Sequence, residues 1–192
     1  MRPEVSAILL AAGMSRRMGS CKQLLPLDGQ PFIVHCIDSI MAAGIRDIVV
    51  VIGAHGDEVV DTIRSLPVTI VRNLDPESDM AASVLVGMQA VYSISTGVFV
   101  SLVDHPLVEP DTYNALIVNH GRDPESILIP VHEGKKGHPT LFPRTILDEL
   151  KTSMTLRDIV HAHPERVRLV EVADGGVTVD IDTPEEYRKV AG

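Results

Sequence analysis

The chain has 192 residues, of which 45% are hydrophobic, 17 are basic and 26 are acidic, for a formal net charge of -9. This size and apolar content predict a single domain, residues 1–192, around one sizeable core. The acidic balance argues against a nucleic-acid partner, because binding to that backbone depends on clustered cations. Since no apolar run approaches the roughly 18 residues of a bilayer-spanning helix, we expect no membrane partner either.

The N-terminal sequence and the cysteines bear on the compartment. The first apolar run is too short for a signal peptide and leads directly into a basic loop. The two cysteines, Cys21 and Cys36, have no spacing that indicates a disulfide framework or a zinc cage. These features predict a cytoplasmic protein.

Short β-rich runs alternate with amphipathic stretches along the first half of the chain, which is typical of an α/β domain with a largely parallel sheet. The first run is continuously apolar, as in a strand buried on both faces. Gly44 follows the first amphipathic stretch as the expected C-cap of its helix. Strands are predicted at residues 5–10, 47–53, 68–73 and 97–104, and helices at residues 31–43, 57–66 and 80–91.

The pattern changes after residue 126, where two strand-like runs flank a loop with glycine and lysine and predict an inserted antiparallel β-element. The last helix should begin with Thr183 as N-cap, Pro184 as its first residue and Glu186 in a capping box. The remaining elements are helices at residues 144–151 and 155–162 and strands at residues 166–172 and 177–182. The whole order predicts a three-layer α/β/α, Rossmann-like fold with a mostly parallel mixed sheet.

The loop after the first strand, AAGMSRRMGSCK, fits neither common phosphate-binding pattern. Its two glycines are too far apart for a P-loop, and the dinucleotide pattern G-x-G-x-x-G is absent. Its small residues would let backbone amides approach a ligand, while Arg16, Arg17 and Lys22 supply three cations within seven residues. A polyphosphate ligand is the simplest interpretation, and a solvated basic turn is the alternative.

Acidic residues stand at the ends of two apolar runs. Asp104 ends the fourth predicted strand, which Pro106 stops. Asp180 and Asp182 alternate on the last predicted strand and should therefore share a face. Mg²⁺ prefers carboxylate oxygens and bridges them to substrate phosphates. Asp104, with Asp180 or Asp182, is thus a candidate magnesium site; helix capping beside Thr183 is the alternative for Asp182.

The segment LLAAGMSRRMGSCKQLLPL resembles the nucleotidyltransferase signature L-A-A-G-x-[ST]-x-R-M-G-x-x-K-x-L, particularly in the MobA-like group, which includes the molybdenum cofactor cytidylyl- and guanylyltransferases. The resemblance implies the nucleotidyltransferase fold. It also implies that Arg17 binds the β- and γ-phosphates and that Lys22 contacts the reacting phosphate. The residues implied to bind the nucleotide at this loop are Leu10, Ala11, Ala12, Gly13, Arg16, Arg17 and Lys22.

Two acidic motifs extend the resemblance. Asp104 begins a D-x-P element, which carries the Mg²⁺-binding aspartate in the family. Asp182 stands just before Thr-Pro in an ending similar to D-x-[DN]-T-P-E-[ED], at the position of the other metal ligand. The resemblance therefore implies Mg²⁺ as cofactor, bound by Asp104 and Asp182.

Two polar segments resemble the family more weakly. Asn73 and Ser83 match residues near the base, although ordinary turn and capping chemistry would also explain them. The GHP element resembles the segment that lines the acceptor pocket, although its histidine could instead brace the β-element. Its residues are Gly137, His138 and Pro139.

One position departs from the family pattern. His105 stands between Asp104 and Pro106, where the cytidylyltransferases usually have methionine or another apolar residue. Alternation along a strand predicts that its side chain points away from Asp104. We therefore expect His105 to be structural, and stabilisation of phosphate by a protonated His105 is the alternative.

The combined motifs imply Mg²⁺-dependent nucleotidyl transfer, with Lys22, Arg17 and Asp104 as catalytic residues. An acceptor phosphate attacks the α-phosphorus of a nucleoside triphosphate, and pyrophosphate leaves. The LLAAG form favours CTP over GTP, and the molybdopterin form of the molybdenum cofactor as acceptor. One alternative is a sugar- or polyol-phosphate nucleotidyltransferase. Another is a non-catalytic carrier of nucleotide or cofactor for a molybdoenzyme or chaperone partner, which the joint presence of Lys22, Asp104 and Asp182 disfavours.

Overall fold

The computed structural model describes residues 4–13, 18–75 and 78–191. Helices cover both faces of a central mixed sheet, so the predicted three-layer α/β/α arrangement is confirmed. The strands are β1 (Val5–Ala11), β2 (Pro26–Leu27), β3 (Gln30–Pro31), β4 (Asp47–Gly53), β5 (Thr69–Asn73), β6 (Gly97–Leu102), β7 (Ile127–His132), β8 (Lys135–Lys136), β9 (Thr140–Pro143) and β10 (Val167–Glu171).

The helices connect these strands along both faces of the sheet. They are α1 (Phe32–Ala42), α2 (Asp57–Ile63), α3 (Met80–Met88), α4 (Pro110–Arg122), α5 (Arg144–Leu147), α6 (Leu156–Ala162) and α7 (Pro184–Val190). Short 3-10 helices lie at Lys22–Leu24, Pro164–Arg166 and Gly175–Thr178. None of the helices in the described ranges has the length and apolar character needed to cross a membrane.

The main sheet has the strand order β10-β7-β9-β6-β1-β4-β5, and β8 pairs with β7. The strands β6, β1, β4 and β5 are parallel to one another, whereas β9 runs antiparallel to both β6 and β7. The predicted antiparallel insertion is therefore confirmed. The carboxyl ends of the parallel strands meet at one edge of the sheet, which is where ligands bind in open α/β folds.

Strand β1 divides the core into two parts, because successive side chains of a strand point to opposite faces. Ala7 and Leu9 belong to one apolar cluster, which includes residues of α1, α2 and α4. Ile8 and Leu10 belong to the other, which includes residues of α3, α5 and α6. Burial on both faces explains why the strand is apolar throughout its length.

Two segments differ from the predictions. No element is predicted at residues 110–122, which form the longest helix in the described part of the chain, α4. Residues 177–182, predicted as a strand, instead contain the end of a 3-10 helix and then residues that are not part of the sheet. The period-two argument that put Asp180 and Asp182 on one face therefore does not apply. The predicted capping box at Thr183 and Glu186 is confirmed at the start of α7.

Candidate functional site

A cavity of about 710 Å³ lies at the carboxyl ends of β1, β4 and β6. Strands β1 and β6 are neighbours in the sheet. The loop after β1 therefore faces the turn after β6, which carries Asp104 and is called the acidic turn below. The cavity brings together most of the predicted nucleotide-binding residues in the described part of the chain. Its lining includes Leu10, Ala11, Ala12, Gly13, Lys22, Asn73, Ser83 and Asp104. Arg16 and Arg17, which are predicted to contact phosphates, lie outside the described residues.

The cavity has a wall that the sequence analysis does not include. It consists of Gly53, the last residue of β4, and the following loop, residues 54–56, and Gly53 packs closely on the loop after β1. A Cβ atom on Gly53 would lie 2.9 Å from the carbonyl oxygen of Ala12, so only glycine allows this approach. The sequence signal for this wall is a glycine at the end of a buried strand. That glycine indicates a close contact with the loop after β1 only when β4 is known to lie next to β1.

Asn73 and Ser83 are hydrogen-bonded to each other across the turn from β5 to α3. The Asn73 Nδ2 donates to Ser83 Oγ at 3.0 Å and to Ser78 Oγ at 2.7 Å. The Asn73 Oδ1 accepts from the backbone N–H of Asp75 at 3.2 Å. These bonds are the turn chemistry that the sequence allowed as an alternative, and nucleotide binding by both residues stays a prediction.

Lys22 lies between the two predicted metal ligands. Its Nζ is 2.8 Å from Asp104 Oδ2 and 2.7 Å from Asp182 Oδ1. The side chain of Lys22 is 10% exposed, that of Asp104 21% and that of Asp182 22%. Water therefore screens these charges only partly. Burial acts to lower the pKa of Lys22, but hydrogen bonds and charge interactions with the two carboxylates reverse this effect and raise it overall. The lysine is therefore charged at neutral pH.

Backbone contacts position the two aspartates. β6 ends at Leu102, so Asp104 lies in the following turn, where its carbonyl oxygen accepts from the N–H of Ile181 at 2.9 Å. The hydroxyl of Thr183 caps α7, whereas the Asp182 carboxylate is directed at Lys22. Thr183, and not the Asp182 side chain, therefore caps this helix. Asp180 is exposed.

Asp104 and Asp182 are suited to hold a divalent cation together. The Oδ1 atom of Asp104 is buried and has no hydrogen-bond partner among the described residues, and one oxygen of each carboxylate contacts the same ammonium group. No group of three or more His, Cys, Asp or Glu side chains within the described ranges could hold a metal alone. Two carboxylates completed by water and substrate phosphate are a usual Mg²⁺ environment. Metal binding by Asp104 and Asp182 stays a prediction.

His105 does not point away from Asp104, and this orientation prediction is wrong. Its Nε2 lies 4.0 Å from Asp104 Oδ1, and its ring packs against His138 with the centroids 5.0 Å apart. The reason is that β6 ends before Asp104, so strand alternation does not reach His105. Burial lowers the pKa of His105. Burial and the neighbouring His105 lower the pKa of His138 to about 4.

This histidine pair should make the protein sensitive to mild acid. The pKa of His138 falls from 6.5 to about 4 on folding, so the unfolded chain takes up the proton first as the pH drops. Its contribution to stability is therefore present above pH 6.5 and is lost as the pH falls towards 4. We would measure the free energy of unfolding in urea at several pH values between 6.5 and 4. It should fall less over this range in His138→Gln than in the wild type. Parallel pH curves would contradict the prediction.

The predicted acceptor element, Gly137 to Pro139, is fixed by backbone contacts and is not part of the cavity lining. The Gly137 N–H donates to the Pro130 carbonyl, and the His138 N–H donates to the Val177 carbonyl, both at 2.9 Å. The element reaches the acidic turn through the contact between His138 and His105. Acceptor binding by Gly137, His138 and Pro139 stays a prediction.

We expect Gly137→Ala to lower the free energy of unfolding by about 2–4 kcal/mol. The new Cβ would lie 2.2 Å from the carbonyl oxygen of Val177, a backbone atom that cannot rotate away. Gly13→Ala is the control, because a Cβ there meets no atom within 4 Å in the part of the chain that the structure describes. Urea unfolding followed by circular dichroism measures both. Equal stabilities for the two variants would show that the Val177 segment yields at little cost.

Comparison with known proteins gives one family and full-length relatives. The sequence profile described as MobA-like NTP transferase domain matches residues 7–167. The nicotine blue oxidoreductase of Paenarthrobacter nicotinovorans is 28% identical, over 97% of this chain and 96% of that protein. The molybdenum cofactor cytidylyltransferase of Escherichia coli (strain K12) is 26% identical, over 95% of this chain and 93% of that protein.

Solved structures agree with the fold over its whole length. Rv0371c from Mycobacterium tuberculosis H37Rv has a TM-score of 0.85 and 29% identity, covering 100% of this chain and 98% of its own. A structure of Rv0371c in complex with manganese has a TM-score of 0.79 and 26% identity, covering 98% of both chains.

Proposed function

The chain belongs to the family of MobA-like NTP transferase domains, and from this premise we propose that it transfers the nucleotide of a nucleoside triphosphate to a phosphate-bearing acceptor. The observation that carries the proposal is Lys22 paired with both Asp104 and Asp182 at the edge of a 710 Å³ cavity. A site that only held a nucleotide would not need a buried cation between two carboxylates. Positioning and charge neutralisation are the means by which proteins accelerate phosphoryl chemistry.

In the proposed reaction, an oxygen of the acceptor phosphate attacks the α-phosphorus. The bond from the α-phosphorus to the bridging oxygen of the β-phosphate breaks, and pyrophosphate leaves. The nucleophile is already an anion, so the chain needs no strong general base. Bound Mg²⁺, held by Asp104 and Asp182, would neutralise phosphate charge.

The remaining roles fall to side chains and backbone of this chain. Lys22 would donate an N–H to an oxygen of the α-phosphate, where negative charge develops in the transition state. Arg17, together with Arg16, would bind the departing pyrophosphate. The small residues Ala11 to Gly13 would leave room for the nucleoside. In the free protein, the ammonium of Lys22 donates to one oxygen of each carboxylate, and an ammonium has three N–H donors, so Lys22 can engage the phosphate while both aspartates still orient it.

We further propose CTP as the nucleotide and the molybdopterin form of the molybdenum cofactor as the acceptor. The LLAAG start of the loop supports this choice, as does similarity to the E. coli cytidylyltransferase along nearly the whole chain. Another full-length relative bears an oxidoreductase name, so the substrates need a direct test. Purified protein would be incubated with Mg²⁺, molybdopterin cofactor and each of CTP, GTP, ATP and UTP, and pyrophosphate would be measured.

We expect pyrophosphate release with CTP and only when the cofactor is present. Release with a sugar or polyol phosphate in place of the cofactor would favour the alternative acceptor class. Nucleotide binding without release under any condition would favour a carrier that delivers its ligand to a molybdoenzyme or chaperone. If the protein neither binds nor consumes any triphosphate, the proposed function is wrong.

A further inference from the structure

Gln23 is a buried polar residue that the proposed mechanism does not use. It follows Lys22 in the 3-10 helix Lys22–Leu24, and only 4% of its surface is exposed. Its Nε2 donates to the carbonyl oxygens of Ala11 and Gly13, each at 2.8 Å. The side chain of Gln23 therefore connects the segment that carries Lys22 to both ends of the small-residue loop.

These bonds act directly on the backbone of the loop. A side-chain amide has two donor hydrogens on one planar nitrogen, so the two carbonyls must approach it from set directions. The residues it holds are alanine and glycine, which have almost no side chain to pack. At Gly13, an added Cβ would meet no atom of the described residues within 4 Å. Gln23 thus adds two directed bonds to a segment that is otherwise held by the pairing of Ala11 with β4 and by the close approach of Gly53 to Ala12.

The direction of the carbonyls matters for an anionic ligand. Within a trans peptide unit, the C=O and the following N–H point in opposite directions. Holding the Ala11 carbonyl on Gln23 therefore directs the Ala12 N–H away from Gln23. A carbonyl released into the cavity would present a partial negative charge to the triphosphate, whereas N–H groups attract it.

The same side chain bears on the position of Lys22. Backbone bonds close the short helix, from the Leu24 N–H to the Cys21 carbonyl at 3.0 Å and from the Leu25 N–H to the Lys22 carbonyl at 3.1 Å. Gln23 lies within this closed turn, so its two bonds to the loop also set the distance between the loop and the Lys22 backbone. A displacement of about 1 Å at such a place can cost on the order of 10²-fold in rate.

We propose that Gln23 is a positioning residue, which holds the loop carbonyls away from the triphosphate and keeps Lys22 in register with the loop. This inference rests on the proposed function. Gln23 need not touch either substrate; it acts through the backbone of residues 11–13 and through Lys22. Its loss should therefore affect the nucleotide more than the acceptor.

The test uses Gln23→Met, which keeps the length of the side chain without its donors, and Gln23→Glu, which replaces the donors with oxygens. We expect CTP affinity, measured by calorimetry with Mg²⁺, to weaken about tenfold in Gln23→Met and further in Gln23→Glu. The KM for CTP should rise and kcat should fall, while the KM for the acceptor should stay within twofold. Gln89→Met, at an exposed glutamine, should behave as the wild type.

A second control separates positioning from simple loss of stability. Ile159→Val shortens a fully buried side chain in α6. It should lower the melting temperature without changing CTP affinity. The inference would be overturned if the CTP affinity of Gln23→Met stayed within twofold of the wild-type affinity. It would also be overturned if Ile159→Val lost as much CTP affinity as Gln23→Met. If the wild type itself binds no triphosphate, the proposed function fails instead, so the two failures are distinguishable.

Discussion

Replacing Asp104 by asparagine is expected to lower the rate of nucleotidyl transfer by a factor on the order of 10² to 10³. The change keeps the shape of the side chain but removes the negative charge that would face the metal and that now faces Lys22. The free energy of unfolding should change by no more than about 1 kcal/mol, since the exchange is nearly isosteric and Lys22 keeps Asp182. Pyrophosphate release and urea unfolding measure the two effects.

Asp61→Asn is the matched control for this prediction. Asp61 is 72% exposed on α2 and pairs only with a neighbouring surface arginine in the contacts described. The control should leave both rate and stability unchanged. An unchanged rate in Asp104→Asn would remove this residue from the metal site. A rate loss that follows a large loss of stability would assign it a structural role instead.

Replacing Lys22 by methionine should weaken transfer and stability but strengthen the binding of a divalent cation. Transfer should slow by about 10² to 10³-fold, because the developing charge on the α-phosphate loses its donor. In metal-free buffer, the protein should also lose about 2 kcal/mol of stability, because the carboxylates of Asp104 and Asp182 would no longer share a cation. Binding of a divalent cation, however, should become tighter in the variant.

The reason is competition between two cations for the same pair of carboxylates. In the wild type, a divalent cation would lie beside the ammonium of Lys22, whose charge repels it, whereas in Lys22→Met it meets the two carboxylates without that ammonium. Mn²⁺ or Mg²⁺ should therefore raise the melting temperature of the variant more than that of the wild type. Lys189→Met, at a 69% exposed lysine on α7, is the control. Equal metal-induced shifts in Lys22→Met and the wild type would contradict the predicted competition.

The parts of the fold that could be predicted are those that local patterns determine. The continuous apolar runs of β1 and β4 indicated buried parallel strands, and the order Thr183, Pro184, Glu186 indicated the start of α7. Helix α4 was missed although it begins with proline, because its buried residues include Thr112 and His120 and weaken the apolar pattern. The strand predicted at residues 177–182 has strand-like composition, but its backbone bonds to turns rather than to a neighbouring strand.

In the candidate site, the sequence could indicate only those residues whose type and local position suggest a chemical role. Lys22 and Asp104 stand out in the sequence because a cation follows a small-residue loop and an acid ends an apolar run. Gln23 could not be recognised in this way, since a glutamine is informative only when its partners, two backbone carbonyls, are known. The orientation of His105 depended on the residue at which β6 ends, which the sequence does not fix closely.

The proposed acceptor element, Gly137 to Pro139, is linked to the proposed metal ligands through main-chain atoms. His138 is bonded to Val177 and Ile181 to Asp104, and the chain then continues through Asp182 into α7. An insertion or deletion in any of these turns would move the carboxylates relative to Lys22. Side-chain substitutions that leave room for the Val177 carbonyl, unlike Gly137→Ala, keep those main-chain bonds intact. On the proposed function, we therefore expect the acceptor to change in evolution through the exchange of side chains, while the lengths of these turns are retained.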